Sequence, residues 1–286
     1  MSVSTTRRAV VQMAADADPR QAPDDLAVED PLVLGLGGEA IATLMRTPGH
    51  DLELAAGWLV VESGVRAGDD IVTLRACRED DTDRVHITLR EGVRPPRPRA
   101  FVTSAACGVC SADVLDLTLL RTSAPHRDGW TVPRVVLAAL PDAMRTRQRA
   151  FDRTGAVHAA ALASAAGEIE VVREDVGRHN AVDKVVGWAI REGRLPLTDT
   201  ILVVSGRASY ELTQKAVLAG IGVLVAVSAP SSLAVEVAAA AGLALVGFVR
   251  GSSMNVYTHP ERVTTSPDMS TIRGEHKRAD QSRLGQ

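Results

Sequence analysis

The chain has 286 residues, 45% of them apolar and 23% charged, with a formal net charge of −3. At roughly 150 residues per domain this is one large domain or two moderate ones, and the composition excludes a wholly disordered chain. The small net charge offers no bulk attraction to nucleic acid or an anionic membrane, and no run approaches the ~18 apolar residues of a membrane span.

Residues 1–24 are polar, rich in Ala, Asp and Pro and without periodicity, and are expected to form a flexible leader. The Arg7-Arg8 pair is not an export signal by this reading, because Asp16 and Asp18 interrupt the short apolar stretch behind it. A cytoplasmic protein is expected. Residues 25–130 read as a smaller α+β region. It opens on a β-hairpin broken by Gly35, Gly37 and Gly38, and a turn at Pro48-Gly49 precedes a helix capped by Asp51 and ending near Gly64. Residues 71–76 and 84–90 alternate as strands, and VRPPRPR is a proline-rich connector.

Ser111 can cap a helix, and Pro133–Arg149 reads as another, with Pro141 expected to break or kink it. Residues 131–263 then show a clearer rhythm. EIEVVRED is a strand, VGRHN a loop, and the helix behind it carries Val182, Val185, Val186, Ala189 and Ile190 on one face. TILVVSGRASYELTQKAVLAG and GVLVAVSAPSSLAVEVAAAAG repeat strand, small polar loop and helix, and LALVGFVRGSSMNVYT closes with extended structure. The expectation is a layered α/β domain on a largely parallel sheet. Its loops Ser205-Gly206-Arg207, Ser228 to Ser232 and Arg250 to Ser253 should cluster at the carboxyl ends of the strands. Residues 264–286 are charged and poor in apolar anchors, and are expected to be a mobile tail.

Three stretches carry candidate chemistry. TSAACGVCS holds Cys107 and Cys110, with Cys77 the one other thiol, which is too few for a disulfide framework. Set before a helix start among tiny side chains, the pair suits a reactive thiolate. The competing reading is half of a metal site, completed by Cys77 or a histidine. A thioredoxin-type redox pair fits less well, since a proline-rich linker precedes it. VREDVGRHNAVDK is dense in polar groups. Its plain reading makes Asn180 an N-cap, places Asp183 in the first turn and leaves His179 in the loop; its functional reading lets Arg178, Arg207 and Arg250 bind phosphates at one sheet edge. TGAVHAA invites comparison with zinc deaminases. However, Ala160 stands where their H-x-E motif has its glutamate, and the CxxC precedes the histidine, so His158 reads as a packing or ligand-contact residue.

Taken together, DLAVEDPL, MRTPGHDLELAAGWL, TSAACGVC, TGAVHAAAL, EDVGRHNAVDK, SGRASYE, QKAVLAGI, SAPSSLA and GFVRGSSMNVYTHPERV resemble the FdhD family of sulfur carriers, over about residues 25–263. The resemblance implies a cytidine-deaminase-like fold for the second domain, a homodimer, and a cysteine desulfurase and formate dehydrogenase as partners. It implies sulfur carried as a persulfide on Cys107, with Cys110 as helper, and delivered to a molybdenum bis(molybdopterin guanine dinucleotide) cofactor bound as substrate. By the same resemblance Phe248, Val249, Arg250, Gly251, Ser252 and Ser253 form the cofactor-binding segment. Ser205, Gly206, Arg207, Arg178 and His179 would take the guanine dinucleotide ends, and no permanent metal is expected. A non-catalytic cofactor chaperone, with the cysteines gripping metal or partner, and a zinc hydrolase are the alternatives.

Overall fold

In the computed structural model, the described residues are 4–97, 102–103 and 129–265. The first structure in the chain is a ribbon. Strands β1 (Thr5–Ala14) and β2 (Ala17–Ala27) pair antiparallel, with Thr5 opposite Ala27 and an ion pair of 3.0 Å from Arg7 to Asp25. The stretch read as a leader without regular structure is therefore paired strand. Neither face of the ribbon covers a core, so its sequence needs no apolar alternation, and Pro23 is tolerated because the ribbon has only edge strands.

The smaller sheet has the order β5-β6-β3-β4-β7, built from β3 (Asp30–Leu36), β4 (Glu39–Arg46), β5 (Ile71–Glu79), β6 (Thr82–Leu89) and β7 (Val102–Thr103). The expected hairpin is β3 and β4, turning at Gly37 and Gly38 with φ of +61° and +90°. Helix α1 (Asp51–Glu62) follows, but its N-cap is His50, held at φ 60°, and not Asp51. Asp51 is drawn instead onto the buried Arg46 guanidinium, at 3.0 Å and 3.2 Å.

In the second half, β8 (Val132–Pro133) leads into α2 (Arg134–Arg145) and α3 (Arg149–Thr154). The helix expected over Pro133–Arg149 does break, but not at Pro141. That residue is buried with Leu137, Leu140 and Met144, and their packing carries α2 through the missing hydrogen bond. The break falls after Arg145, where the Glu174 carboxylate accepts the Ala150 and Phe151 amides, both at 2.8 Å, at the start of α3.

The larger sheet has six strands in the order β10-β9-β11-β12-β13-β14. They are β9 (His158–Ser164), β10 (Ile169–Asp175), β11 (Thr200–Val204), β12 (Val223–Ala226), β13 (Ala244–Arg250) and β14 (Ser253–Val256). Only β11, β12 and β13 run parallel; β9, β10 and β14 join antiparallel, which corrects the largely parallel sheet expected from sequence. The unforeseen strand is β9, whose HAAALAS shows no alternation. Its Ala160 and Leu162 pack on one core and its Ala159, Ala161 and Ala163 on another, so both faces must be apolar.

Helices α4 (Arg178–Arg191), α5 (Tyr210–Leu218) and α6 (Ser232–Ala241) complete the layers, and β15 (Val263–Thr264) pairs with β8. One core joins both halves: Leu32, Leu34, Leu54 and Leu59 meet Val182, Val185, Leu202 and Leu245. Leu137, Leu140 and Met144 of α2 cover the sheet's other face against Val203, Val225 and Val246. The fold is thus mixed α/β with several sheets. Where α1 meets α4, a Cβ built at Gly57 would overlap the Asp183 carbonyl oxygen, and one at Gly187 the Glu53 carbonyl oxygen.

Candidate functional site

The parallel register of β11, β12 and β13 brings their carboxyl ends to one edge. Main-chain bonds then stitch the loops together. The Ser228 amide donates to Gly206 O at 3.4 Å, Phe248 N to Ser228 O at 3.2 Å, and Ala208 bridges to Pro230. Because β9 runs the other way, its first residue lies at this edge too, opposite Asp175 of β10. Ser205 ties it in, its amide donating to Ala159 O at 3.0 Å while its hydroxyl accepts from Ala159 N at 2.9 Å. The expected clustering of the three loops is therefore present.

Beside this edge lies a cavity of about 650 Å³ whose lining includes His158, Ser205, Val249, Arg250 and Gly251. Gly206 adjoins it, since a Cβ there would sit 3.5 Å from His158 Nδ1. Phe248 is held at φ 53° on the bulge of β13 and is 40% exposed, while Arg207 in its loop, Ser252 in the turn and Ser253 at the start of β14 are exposed. His158 is half-buried, and burial, reinforced by the Arg178 and His179 charges, pushes its imidazole below the ordinary 6.5. A neutral ring is thus favoured beside the Arg178 guanidinium. His179 is turned to Glu211, with Nδ1 2.7 Å from Oε2. Arg178 Nε and His179 Nε2 are buried with no hydrogen-bond partner among the described residues, so this edge has hydrogen-bonding capacity that those residues leave unused.

The FdhD/NarQ family model matches residues 27–264. The chain belongs to the FdhD/NarQ family. Among its relatives, the sulfur carrier protein FdhD of Mycolicibacterium paratuberculosis is 47% identical over 273 residues, covering 92% of this chain and 100% of the relative. That of Streptomyces coelicolor is 49% identical, covering 91% and 95%, and that of Sulfolobus acidocaldarius 41% identical, covering 90% and 98%. A crystal structure from Desulfotalea psychrophila, described as a formate dehydrogenase accessory protein, superposes with a TM-score of 0.75 at 24% identity, covering 92% of this chain and 100% of that one; it shows the fold. No helix among the described residues is long and apolar enough to cross a membrane.

Within this FdhD/NarQ chain, sequence reasoning missed the polar network that fixes the edge. Asp175 and Lys184, both essentially fully buried, pair at 2.7 Å. Asp175 also accepts from Thr47 N at 3.1 Å and Gly177 N at 2.8 Å, and Lys184 donates to Thr47 O at 2.9 Å. The TPGH turn of the first half is thereby locked onto the start of α4. Asn180 caps nothing: Gly177 is the N-cap of α4, and Asn180 donates to Met45 O at 2.8 Å and Asp175 Oδ1 at 2.9 Å. Asp183 lies beyond the first turn and binds Lys215 at 2.6 Å. One signal was available, since only Lys184, Lys215 and Lys277 are lysines and Lys184 interrupts an apolar helix face.

Cys107 and Cys110 lie outside the described residues, as does the helix expected at Ser111. Their nearest described attachment point is Thr103 of β7, opposite Leu44 in a parallel pair with β4. Strand β4 leads within three residues to Thr47, whose hydroxyl accepts the Val176 amide at 3.0 Å. β7 thus runs in the same direction as β4, whose end leads to the edge that holds Asp175 and His158. Three residues separate Thr103 from Cys107, so that four Cα steps give a reach of at most about 14 Å. For the deaminase comparison, Ala160 is fully buried in β9 and supplies no acid–base group, so the site has no residue for that chemistry at this position.

Proposed function

We propose that the protein is a sulfur carrier for formate dehydrogenase maturation, working in the cytoplasm as a homodimer with a cysteine desulfurase as sulfur donor. The carrying step is thiol chemistry: the Cys107 thiolate attacks the outer sulfur of the desulfurase persulfide, gaining a persulfide as the donor's thiol is released. Attack of Cys110 on Cys107 Sγ would then form a disulfide and release the outer sulfur as sulfide to the molybdenum bis(molybdopterin guanine dinucleotide) substrate, a thiol reductant resetting the pair. No nucleic acid or membrane takes part in this cycle.

The observation that carries this reading is the shared edge, where Ser205, His158 and the Val249–Gly251 segment line one cavity and Arg178 Nε and His179 Nε2 are buried without a hydrogen-bond partner among the described residues. An elongated, phosphate-bearing ligand is met there by main-chain amides and guanidinium groups, which form strong charge-assisted hydrogen bonds. Phe248, Ser252 and Ser253 adjoin the lining Val249–Gly251 segment in the chain and Arg207 follows Ser205 by two residues, and all four are exposed surface that such a ligand would cover.

The test is intact-mass analysis after incubation with a desulfurase and cysteine. An adduct of about 32 Da, one sulfur atom, is expected on wild type and absent from Cys107→Ala. In a strain deleted for the gene, Cys107→Ala should fail to restore formate dehydrogenase activity. Absence of any sulfur adduct on wild type, with cofactor binding intact, would leave the chain a non-catalytic chaperone.

A further inference from the structure

We propose that Cys77, Glu79 and His86 form a binding site for a zinc-class divalent cation on the outer face of the smaller sheet. Alternation along the strands puts them there. Leu74, Val85 and Ile87 join the core on the inner face, whereas Cys77 and Glu79 of β5 and His86 of β6 project from the other. Their ligand atoms lie within 4.8 Å of one another. Glu79 Oε1 is the hub, 3.4 Å from Cys77 Sγ and 2.9 Å from His86 Nε2. Tetrahedral zinc with ordinary bond lengths sets its ligands about 3.5 Å apart for sulfur and oxygen and about 3.3 Å for nitrogen and oxygen. Two edges of such a tetrahedron are therefore nearly in place before any ion enters, and the third, from sulfur to nitrogen, lies within 4.8 Å.

The chemistry selects the ion. A thiolate and an imidazole favour zinc over magnesium or calcium, which take oxygen donors. Thiolate and carboxylate together supply two negative charges against the dication, and the thiol proton leaves to solvent as the metal–sulfur bond forms. Arg84 holds the other Glu79 oxygen, Nε to Oε2 at 3.1 Å, which orients Oε1 towards the thiol and imidazole. Arg75, opposite His86 in the register, adds positive charge to the same face and limits affinity, so the ion should exchange with solution. The site is independent of the sulfur-carrying cysteines, whose expected freedom from metal it leaves untouched.

The test uses the full chain carrying Cys107→Ala and Cys110→Ala, in which Cys77 is the only thiol left. Addition of Co²⁺ should give a near-ultraviolet thiolate-to-metal charge-transfer band that Zn²⁺ abolishes and Mg²⁺ does not, with one equivalent of zinc by elemental analysis after dialysis against micromolar ion. Further replacement of Cys77→Ser should remove the band, and His86→Ala should weaken zinc binding by more than about tenfold, the loss typical of removing even an outer-shell partner. No charge-transfer band in the double variant, or a zinc content unchanged by Cys77→Ser, would overturn the proposal. The band is read on the double variant itself, so the outcome stands whether or not His86→Ala folds.

Discussion

Gly57 of α1 and Gly187 of α4 mark the point where the two halves of the molecule touch backbone to backbone, each glycine lying where a side chain would strike a carbonyl of the other helix. Gly→Ala normally favours a helix by about 1 kcal/mol. Here overpacking, typically about 1–3 kcal/mol and more against rigid backbone, outweighs that gain. Gly57→Ala and Gly187→Ala should each lower the urea midpoint, whereas Gly→Ala at an exposed helical position in another protein would raise it. An unchanged midpoint would show that the helices can part at no cost.

Lys184 and Asp175 are buried at 1% and 0% side-chain exposure, and each is also bonded to the Thr47 backbone. Removing one partner leaves an uncompensated charge in the interior, a loss of about 3–5 kcal/mol. Lys184→Met and Asp175→Asn should each be strongly destabilising in equilibrium unfolding. The double variant should lose less than the sum of the two, because the charge left behind in each single variant is gone. Additive losses would mean that the pair does not couple.

Glu53 supplies the pH dependence. Burial raises its carboxyl, but hydrogen bonds from Arg173 and then His50 outweigh it, and the group ends at about 2 against an ordinary 4.5. A carboxyl whose folded value is depressed binds fewer protons folded than unfolded. Its stabilisation is therefore complete above about 4.5 and is lost as pH falls towards about 2. The full effect is up to about 3 kcal/mol. Unfolding free energies measured from pH 6 to pH 2.5 should fall more steeply for wild type than for Glu53→Gln. Parallel curves would remove Glu53 as the cause.

How much of this was legible in sequence depended on what each segment packs against. β11, β12 and β13 stood out because apolar blocks such as TILVV are each followed by small polar loops, and those loops converge as their strand order requires. β9 was invisible to a periodicity argument because both of its faces are buried, and the β1–β2 ribbon because neither is. Asn180 and Asp183 obeyed distant partners, Met45 and Lys215, in place of the local helix-end preferences that sequence can show. Ser205 and Arg250–Gly251 were found because small polar loops follow apolar strand blocks, and a family pattern added Val249; their common cavity with His158 depends on the reversed direction of β9, which no local pattern encodes.

Phe248 separates stability from function at that cavity. Its φ of 53° places an L-residue in the left-handed region, at a cost of about 1–2 kcal/mol that glycine would not incur. The ring is 40% exposed, so it recovers only part of that cost by burial. In Phe248→Gly, relief of strain and loss of ring burial should nearly cancel, leaving unfolding free energy within about 1 kcal/mol of wild type once glycine's greater chain entropy is included. If the proposed cofactor role of this segment holds, binding of a guanine dinucleotide should weaken, because the exposed ring on the bulge of β13 offers a face on which a base can stack. A large stability loss with unchanged binding would instead make the ring a packing element, and the strained backbone would then need another explanation.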